Sequence, residues 1–199
     1  MSHRFAILLG VLALVAVGGP HLPAAPVPKH LMPKDQPPLI YPAAVGTKWV
    51  YEANGGEVTI VASKVEDADG GKRITLDRLN ADNTRAHHMT MLVSAKGVFL
   101  AAELNEPYDA PWCMLQLPHA NGQTWDTKPA RKGQVLVNGT MKAGPVEKVK
   151  VPAGEIEAVR VEWSYGGGGV ATYWYAPGYG LVRQSGGTNW NLKSVTAGK

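Results

Sequence analysis

Residues 159–165, VRVEWSY, decide the fold class of this chain. Val159, Val161, Trp163 and Tyr165 alternate with an arginine, a glutamate and a serine. A period of two is typical of a β-strand that has one face on a core and the other in water. The same alternation recurs in four more segments: 48–53, 57–63, 88–93 and 189–193.

Glycine-rich turns separate these segments at intervals of roughly ten residues, as in an all-β domain. Glycine adopts a positive φ without steric cost, and Asn-Gly and Asp-Gly are strong hairpin signals. No stretch of ten or more residues shows a helical period of 3.6. We therefore predict an all-β domain of about ten or eleven antiparallel strands that forms a barrel, a curved half-barrel or a sandwich. The turn segments are 54–56, 69–71, 96–97, 144–145, 166–169 and 186–187.

The N-terminal residues have the layout of a secretory signal peptide. The uncharged apolar run Phe5–Val17 follows a short basic start and ends at two glycines and a proline. A membrane-spanning helix needs about 20 apolar residues, so this run is too short for one. We predict a signal at 1–18, with an uncleaved anchor as the alternative, and hence a periplasmic or extracellular protein with no membrane span after cleavage.

Proline dominates the next segment, because eight of the fifteen prolines fall between residues 20 and 42. Proline fixes φ and lacks a backbone donor, so residues 19–42 are predicted to be an extended linker. The more specific alternative is that this proline-rich segment is a ligand recognised by another protein. Residues 43–196 then form a single all-β domain.

The chain has one cysteine, Cys113, so an internal disulfide is excluded and stability must come from the core. A single cysteine in the middle of the chain also excludes lipid anchoring through an N-terminal cysteine. The basic residues are scattered singly, whereas a nucleic-acid-binding domain has a clustered basic face. We predict no nucleic-acid partner.

Three segments resemble the TapB-like family of exported bacterial proteins of unknown function. They are YPAAVGTKWVYE at 41–52, VPAGEIEAVRVE at 151–162 and YWYAPGYGLVR at 173–183, with Ile156 where similar proteins carry an aromatic residue. The resemblance implies a single curved antiparallel sheet, similar to the half-barrel of periplasmic lipoprotein carriers. The resemblance does not imply any catalytic residues in this chain.

The motifs of common enzymes are missing from the sequence. No serine lies in a Gly-x-Ser-x-Gly context, and the glycine run at 166–169 lacks the Gly-Lys-Ser/Thr ending of a phosphate loop. Adjacent His87 and His88 point to opposite faces of a strand and cannot chelate one metal ion. We predict no catalytic residues, no metal site and no cofactor.

A ligand site is predicted from the aromatic and methionine residues. The segment 103–123, ELNEPYDAPWCMLQLPHANGQ, contains three prolines and is expected to be a long irregular connection. Trp112 and Trp125 flank it and are placed at the rim of a pocket, and Met89 and Met91 face inward. These four residues are the candidate ligand-binding residues.

The leading functional hypothesis is an exported, non-enzymatic β domain that binds an apolar small molecule or docks on an envelope protein. One alternative is a structural module without a ligand, and another is a hydrolase with dispersed acidic residues. The oligomeric state is left open.

Overall fold

The computed structural model describes residues 39–199. The predicted signal at 1–18 and most of the predicted linker at 19–42 lie outside the described residues. Within 39–199, no helix has the length and apolarity needed to cross a membrane.

The described part of the chain is built from fourteen strands. A single 3-10 turn at Gly166–Gly168 joins two of them, β11 and β12. The strands are β1 Lys48–Ala53, β2 Gly56–Ala68, β3 Gly71–Leu79, β4 Arg85–Ser94, β5 Gly97–Glu103, β6 Glu106–Gln116, β7 Thr124–Thr127, β8 Ala130–Arg131, β9 Gln134–Val135, β10 Gly139–Val151, β11 Gly154–Tyr165, β12 Gly169–Ala176, β13 Gly180–Ser185 and β14 Trp190–Thr196.

Twelve strands form one antiparallel sheet in the order β6-β5-β4-β3-β2-β1-β14-β13-β12-β11-β10-β7. Consecutive strands pair with each other from β1 to β6 and from β10 to β14, and β7 pairs with β10. The strand β1 joins the two halves because it pairs with both β2 and β14. The sheet curves until it is nearly closed into a barrel. This confirms the predicted all-β, curved antiparallel architecture, with β8 and β9 as a separate small hairpin.

Side chains bridge the two ends of the sheet, β6 and β7. The Trp125 indole N–H on β7 donates to the carbonyl of Cys113 on β6 at 3.1 Å. Just before β7, the Gln123 amide donates to the Gln116 side chain at 2.8 Å. At this seam side-chain hydrogen bonds link the two ends of the sheet, and no backbone ladder joins them.

One continuous apolar cluster lies inside the barrel. Trp49 and Tyr51 on β1 belong to it, and their polar atoms are paired inside it. The Trp49 indole donates to the Tyr179 carbonyl at 2.7 Å, and the Tyr51 hydroxyl donates to the Leu181 carbonyl at 2.9 Å. Pairing removes the cost of burying these groups, so the large rings contribute their full apolar area.

The segment before β1 packs against the sheet. Ile40 and Tyr41 are buried, and the carbonyl of Ile40 accepts the amide of Gly180 at 2.8 Å. Gly180 has φ +80, and a Cβ placed on it would lie 2.4 Å from the Tyr41 ring. Only glycine fits this contact without moving the ring or straining the backbone.

The prediction of one irregular connection over 103–123 is wrong. Leu104 and Asn105, both with positive φ, form a tight turn after β5, and the chain continues as β6 as far as Gln116. Pro107 and Pro111 suggested a break. However, β6 ends the sheet, where a missing backbone donor costs no ladder hydrogen bond.

Candidate functional site

A cavity of about 290 Å³ lies inside the barrel. Its walls come from β4, β5 and β6 on one side and from β12, β13 and β14 on the other, and Tyr41 is contributed by the N-terminal segment. The lining is mostly apolar and aromatic. It consists of Tyr41, His88, Met89, Met91, Leu100, Glu103, Trp112, Met114, Tyr173, Tyr175, Leu181, Gln184, Thr188 and Trp190.

Strand alternation explains most of this lining. Residues two apart on a regular strand share a face, and three strands each contribute a pair of side chains at this spacing, although Met114 on β6 is itself an unpaired residue in the β5–β6 ladder. The pairs are Met89 and Met91 on β4, Trp112 and Met114 on β6, and Tyr173 and Tyr175 on β12. The side chains that point into the barrel therefore form the cavity wall.

His88 enters the lining through a bulge. In the β3–β4 ladder, Leu76 pairs with Met89 and Asp77 with His87, so His88 has no partner residue. An extra, unpaired residue in one strand changes the direction in which that residue's side chain points. This places His88 beside Met89 on the inner face, where regular alternation would have brought His87.

The two neighbouring histidines have different surroundings. The amide of Asn105 donates to Nδ1 of His87, and Nε2 of His87 lies 3.0 Å from the Thr90 hydroxyl. His88 stacks on Trp190, with 5.5 Å between ring centroids and 15° between ring planes. Burial lowers the pKa of His88, so this ring is neutral at pH 7.

Among residues 39–199, Glu103 is the one carboxylate that lines the cavity, and two neighbours form hydrogen bonds with it. The Tyr108 hydroxyl and Nη2 of Arg131 each donate to its Oε2 at 3.2 Å. The Arg131 guanidinium also lies 4.3 Å from the centroid of the Tyr108 ring. Burial raises the pKa of Tyr108 to about 12, so this hydroxyl keeps its proton at neutral pH.

Arg131 belongs to a strap, residues 128–138, which contains the β8–β9 hairpin and lies against β6. A second ion pair links Arg131 to Glu106 at 3.2 Å. The Asp109 carboxylate accepts the amides of Lys132 and Gly133, each at 2.8 Å. Carboxylate–amide bonds of this length are stronger than neutral ones, so Asp109 anchors the tip of the strap.

The structure brings three of the four predicted ligand-binding residues to one cavity. Trp112, Met89 and Met91 line it. Trp125 is not among the lining residues, because its ring is buried at the β6–β7 seam, where its N–H is used. His88, which alternation does not single out, completes the wall through its bulge.

Two observations concern metal-binding and nucleophilic groups among the described residues. Between residues 39 and 199 there is no group of three or more His, Cys, Asp or Glu side chains placed to hold a metal ion. Burial raises the pKa of the Cys113 thiol to about 11, so at neutral pH it is a thiol and a poor nucleophile.

Two solved structures have a similar fold. One is a "putative lipoprotein" from Parabacteroides distasonis, with a TM-score of 0.52 and 16% sequence identity, over 81% of this chain and 100% of that chain. The other is a "putative exported protein with YmcC-like fold" from Bacteroides fragilis, with a TM-score of 0.54 and 12% identity, over 80% of this chain and 100% of that chain. At these identities the likeness shows the fold alone.

No family model and no curated protein matches the chain. The resemblance to the TapB-like family therefore stays a prediction. The chain shares a nearly closed antiparallel barrel with two bacterial proteins whose names describe them as exported or as a lipoprotein.

Proposed function

We propose that this protein is an exported, non-enzymatic β domain that binds a small apolar ligand inside its barrel. The observation that carries the proposal is the 290 Å³ cavity, which is lined by three methionines, two leucines and several aromatic rings. Ligand pockets are concave and mostly apolar, with a few polar groups, and this one lies near the lower end of their usual size range.

Export is supported by the signal layout of residues 1–18 and by the names of the two proteins with a similar fold. The lining supports binding rather than catalysis. Apart from tyrosines, the described residues contribute two titratable groups to the lining. They are Glu103, which is paired with Arg131, and His88, which is stacked on Trp190. Neither has a nucleophile as a hydrogen-bonding partner.

Native mass spectrometry of the full chain, purified from its own host, tests the proposal. We expect a bound small molecule, together with enhanced fluorescence of an anilinonaphthalene probe in the ligand-free protein. Leu100→Trp should abolish both signals, because it fills the cavity from β5. Met114→Phe is a milder filling variant, and Val170→Trp, on an exposed position of β12, is the matched control.

Wild-type protein that is recovered without any bound molecule and that does not take up the probe would overturn the proposal. It would favour the structural-module alternative. Equal probe uptake by Leu100→Trp and wild type would also count against it, because the probe would then bind outside the cavity.

A further inference from the structure

Methionine is concentrated around the cavity. Residues 39–199 contain four methionines, and all of them except Met141 line it. The four differ in exposure: Met89 is partly buried, Met114 is 6% exposed, Met91 is 2% exposed and Met141 is fully buried. Met89 is therefore the most accessible methionine of this part of the chain.

The accessible surface of Met89 faces the cavity. Met89 pairs with Leu76 in the β3–β4 ladder and with Glu103 in the β4–β5 ladder, and Leu76 is only 2% exposed. The cavity reaches the protein surface, because Thr188 in its lining is exposed. A small uncharged oxidant that enters from water therefore meets Met89 more often than the more deeply buried Met91.

We infer that Met89 is an oxidation site, at which hydrogen peroxide converts the thioether to a sulfoxide and so lowers the affinity of the cavity for its ligand. The sulfur gives up two electrons and takes one oxygen atom, the O–O bond of the peroxide breaks, and water leaves. Methionine sulfoxide reductases reverse this change. The reactivity of Met89 follows from its exposure alone, whereas the effect on binding rests on the proposed function.

A sulfoxide at this position makes the cavity wall polar. Its oxygen only accepts hydrogen bonds, and neither cross-strand partner donates one, because Leu76 is apolar and the Glu103 carboxylate is itself an acceptor. The oxygen therefore keeps water beside it, which an apolar ligand has to displace. We expect the affinity for an apolar ligand to fall by about tenfold or more.

Hydrogen peroxide treatment of the full chain, followed by peptide mass spectrometry, tests the inference. Met89 should be oxidised at least about tenfold faster than Met141, because a fully buried group reacts only when the structure opens locally. A saturating amount of the anilinonaphthalene probe should slow the oxidation of Met89 and leave that of Met141 unchanged. Cys113 does not line the cavity, and its peptide is scored separately.

Fluorescence of the same samples measures the effect on binding. Probe uptake by wild type should fall in step with the Met89 sulfoxide and return after treatment with both sulfoxide reductases, one for each epimer. Met89→Leu has no thioether at this position, so after peroxide it should keep the uptake that it had before. Met141→Leu is the matched control and should lose uptake as wild type does.

If Met89→Leu does not fold, the wild-type time course decides the question. The rate constant for the loss of uptake should then equal that for sulfoxide formation at Met89 and differ from that at any other residue.

Oxidation of Met89 no faster than that of Met141, or undiminished uptake by protein oxidised at Met89, would overturn the inference while leaving apolar binding in place. Unoxidised wild type that takes up no probe would overturn the proposed function instead, and the peptide rates would still show whether Met89 is the reactive methionine. The two failures are therefore distinguishable.

Discussion

The contact between Gly180 and Tyr41 gives a prediction that can be calculated from the structure. Gly180→Ala puts a methyl group 2.4 and 2.5 Å from two carbons of a ring that is 4% exposed and lines the cavity. The φ of +80 costs a non-glycine residue about 1–2 kcal/mol. Overpacking against a buried ring adds about 1–3 kcal/mol, so we expect a total loss of about 2–5 kcal/mol.

Gly187→Ala is the matched control. Its φ is +75 and nothing lies within 4 Å of the added methyl group, so only the backbone cost of about 1–2 kcal/mol applies. Urea unfolding followed by tryptophan fluorescence measures both variants. In thermal unfolding the expected decreases in Tm are roughly 4–20 °C for Gly180→Ala and roughly 2–8 °C for the control.

A double-mutant cycle isolates the contact itself. In a Tyr41→Leu background the ring is gone, so the cost of Gly180→Ala should fall to that of the control. Equal destabilisation by Gly180→Ala and Gly187→Ala in the wild-type background would refute the reasoning. It would mean that the ring of Tyr41 is not packed against this turn.

Four further predictions concern single side chains. Tyr51→Phe removes a buried hydrogen bond to a β13 carbonyl and should lower the free energy of unfolding by about 1–3 kcal/mol in urea titrations. Asp109→Asn should speed hydrogen exchange at the two strap amides that it binds, without a comparable loss of global stability. The pKa of Cys113, raised from 9.0 to about 11, should slow its alkylation at neutral pH by about a hundredfold relative to the unfolded chain. Because burial lowers the pKa of His88 in the folded state, the unfolded chain binds more protons below about pH 6.5. Stability should therefore fall as the pH drops below 6.5, by at most about 1.4 kcal/mol per pH unit, and His88→Phe should remove this part of the slope between pH 7 and pH 5.

The fold class could be predicted from the sequence because the strand period and the turn chemistry are local signals. The alternation at 159–165 lies in β11, and the glycine turns at 54–56 and 69–71 lie between strands that pair as neighbours. The pairing of β1 with β14 could not be predicted. It joins residues more than a hundred positions apart, and no local pattern specifies such a partner.

The site could be predicted in part for the same reason. Met89, Met91 and Trp112 line the cavity because they lie on the inward phase of their strands. That His88 lines the cavity could not be predicted. A single unpaired residue in the β3–β4 ladder locally reverses which side chains point into the barrel. Tryptophan is common in ligand pockets, which is why Trp125 is a candidate. Its position at the β6–β7 seam, however, depends on how the ends of the sheet come together.

Methionine methyl NMR tests most directly the central claim that the barrel interior is the binding site. Met89, Met91 and Met114 line the cavity, whereas Met141 is fully buried outside its lining. On titration with the anilinonaphthalene probe, the methyl signals of the three cavity methionines should shift together in a saturable way, and the Met141 signal should stay in place. Unshifted cavity methionines at saturating probe, or a Met141 shift as large as theirs, would contradict it.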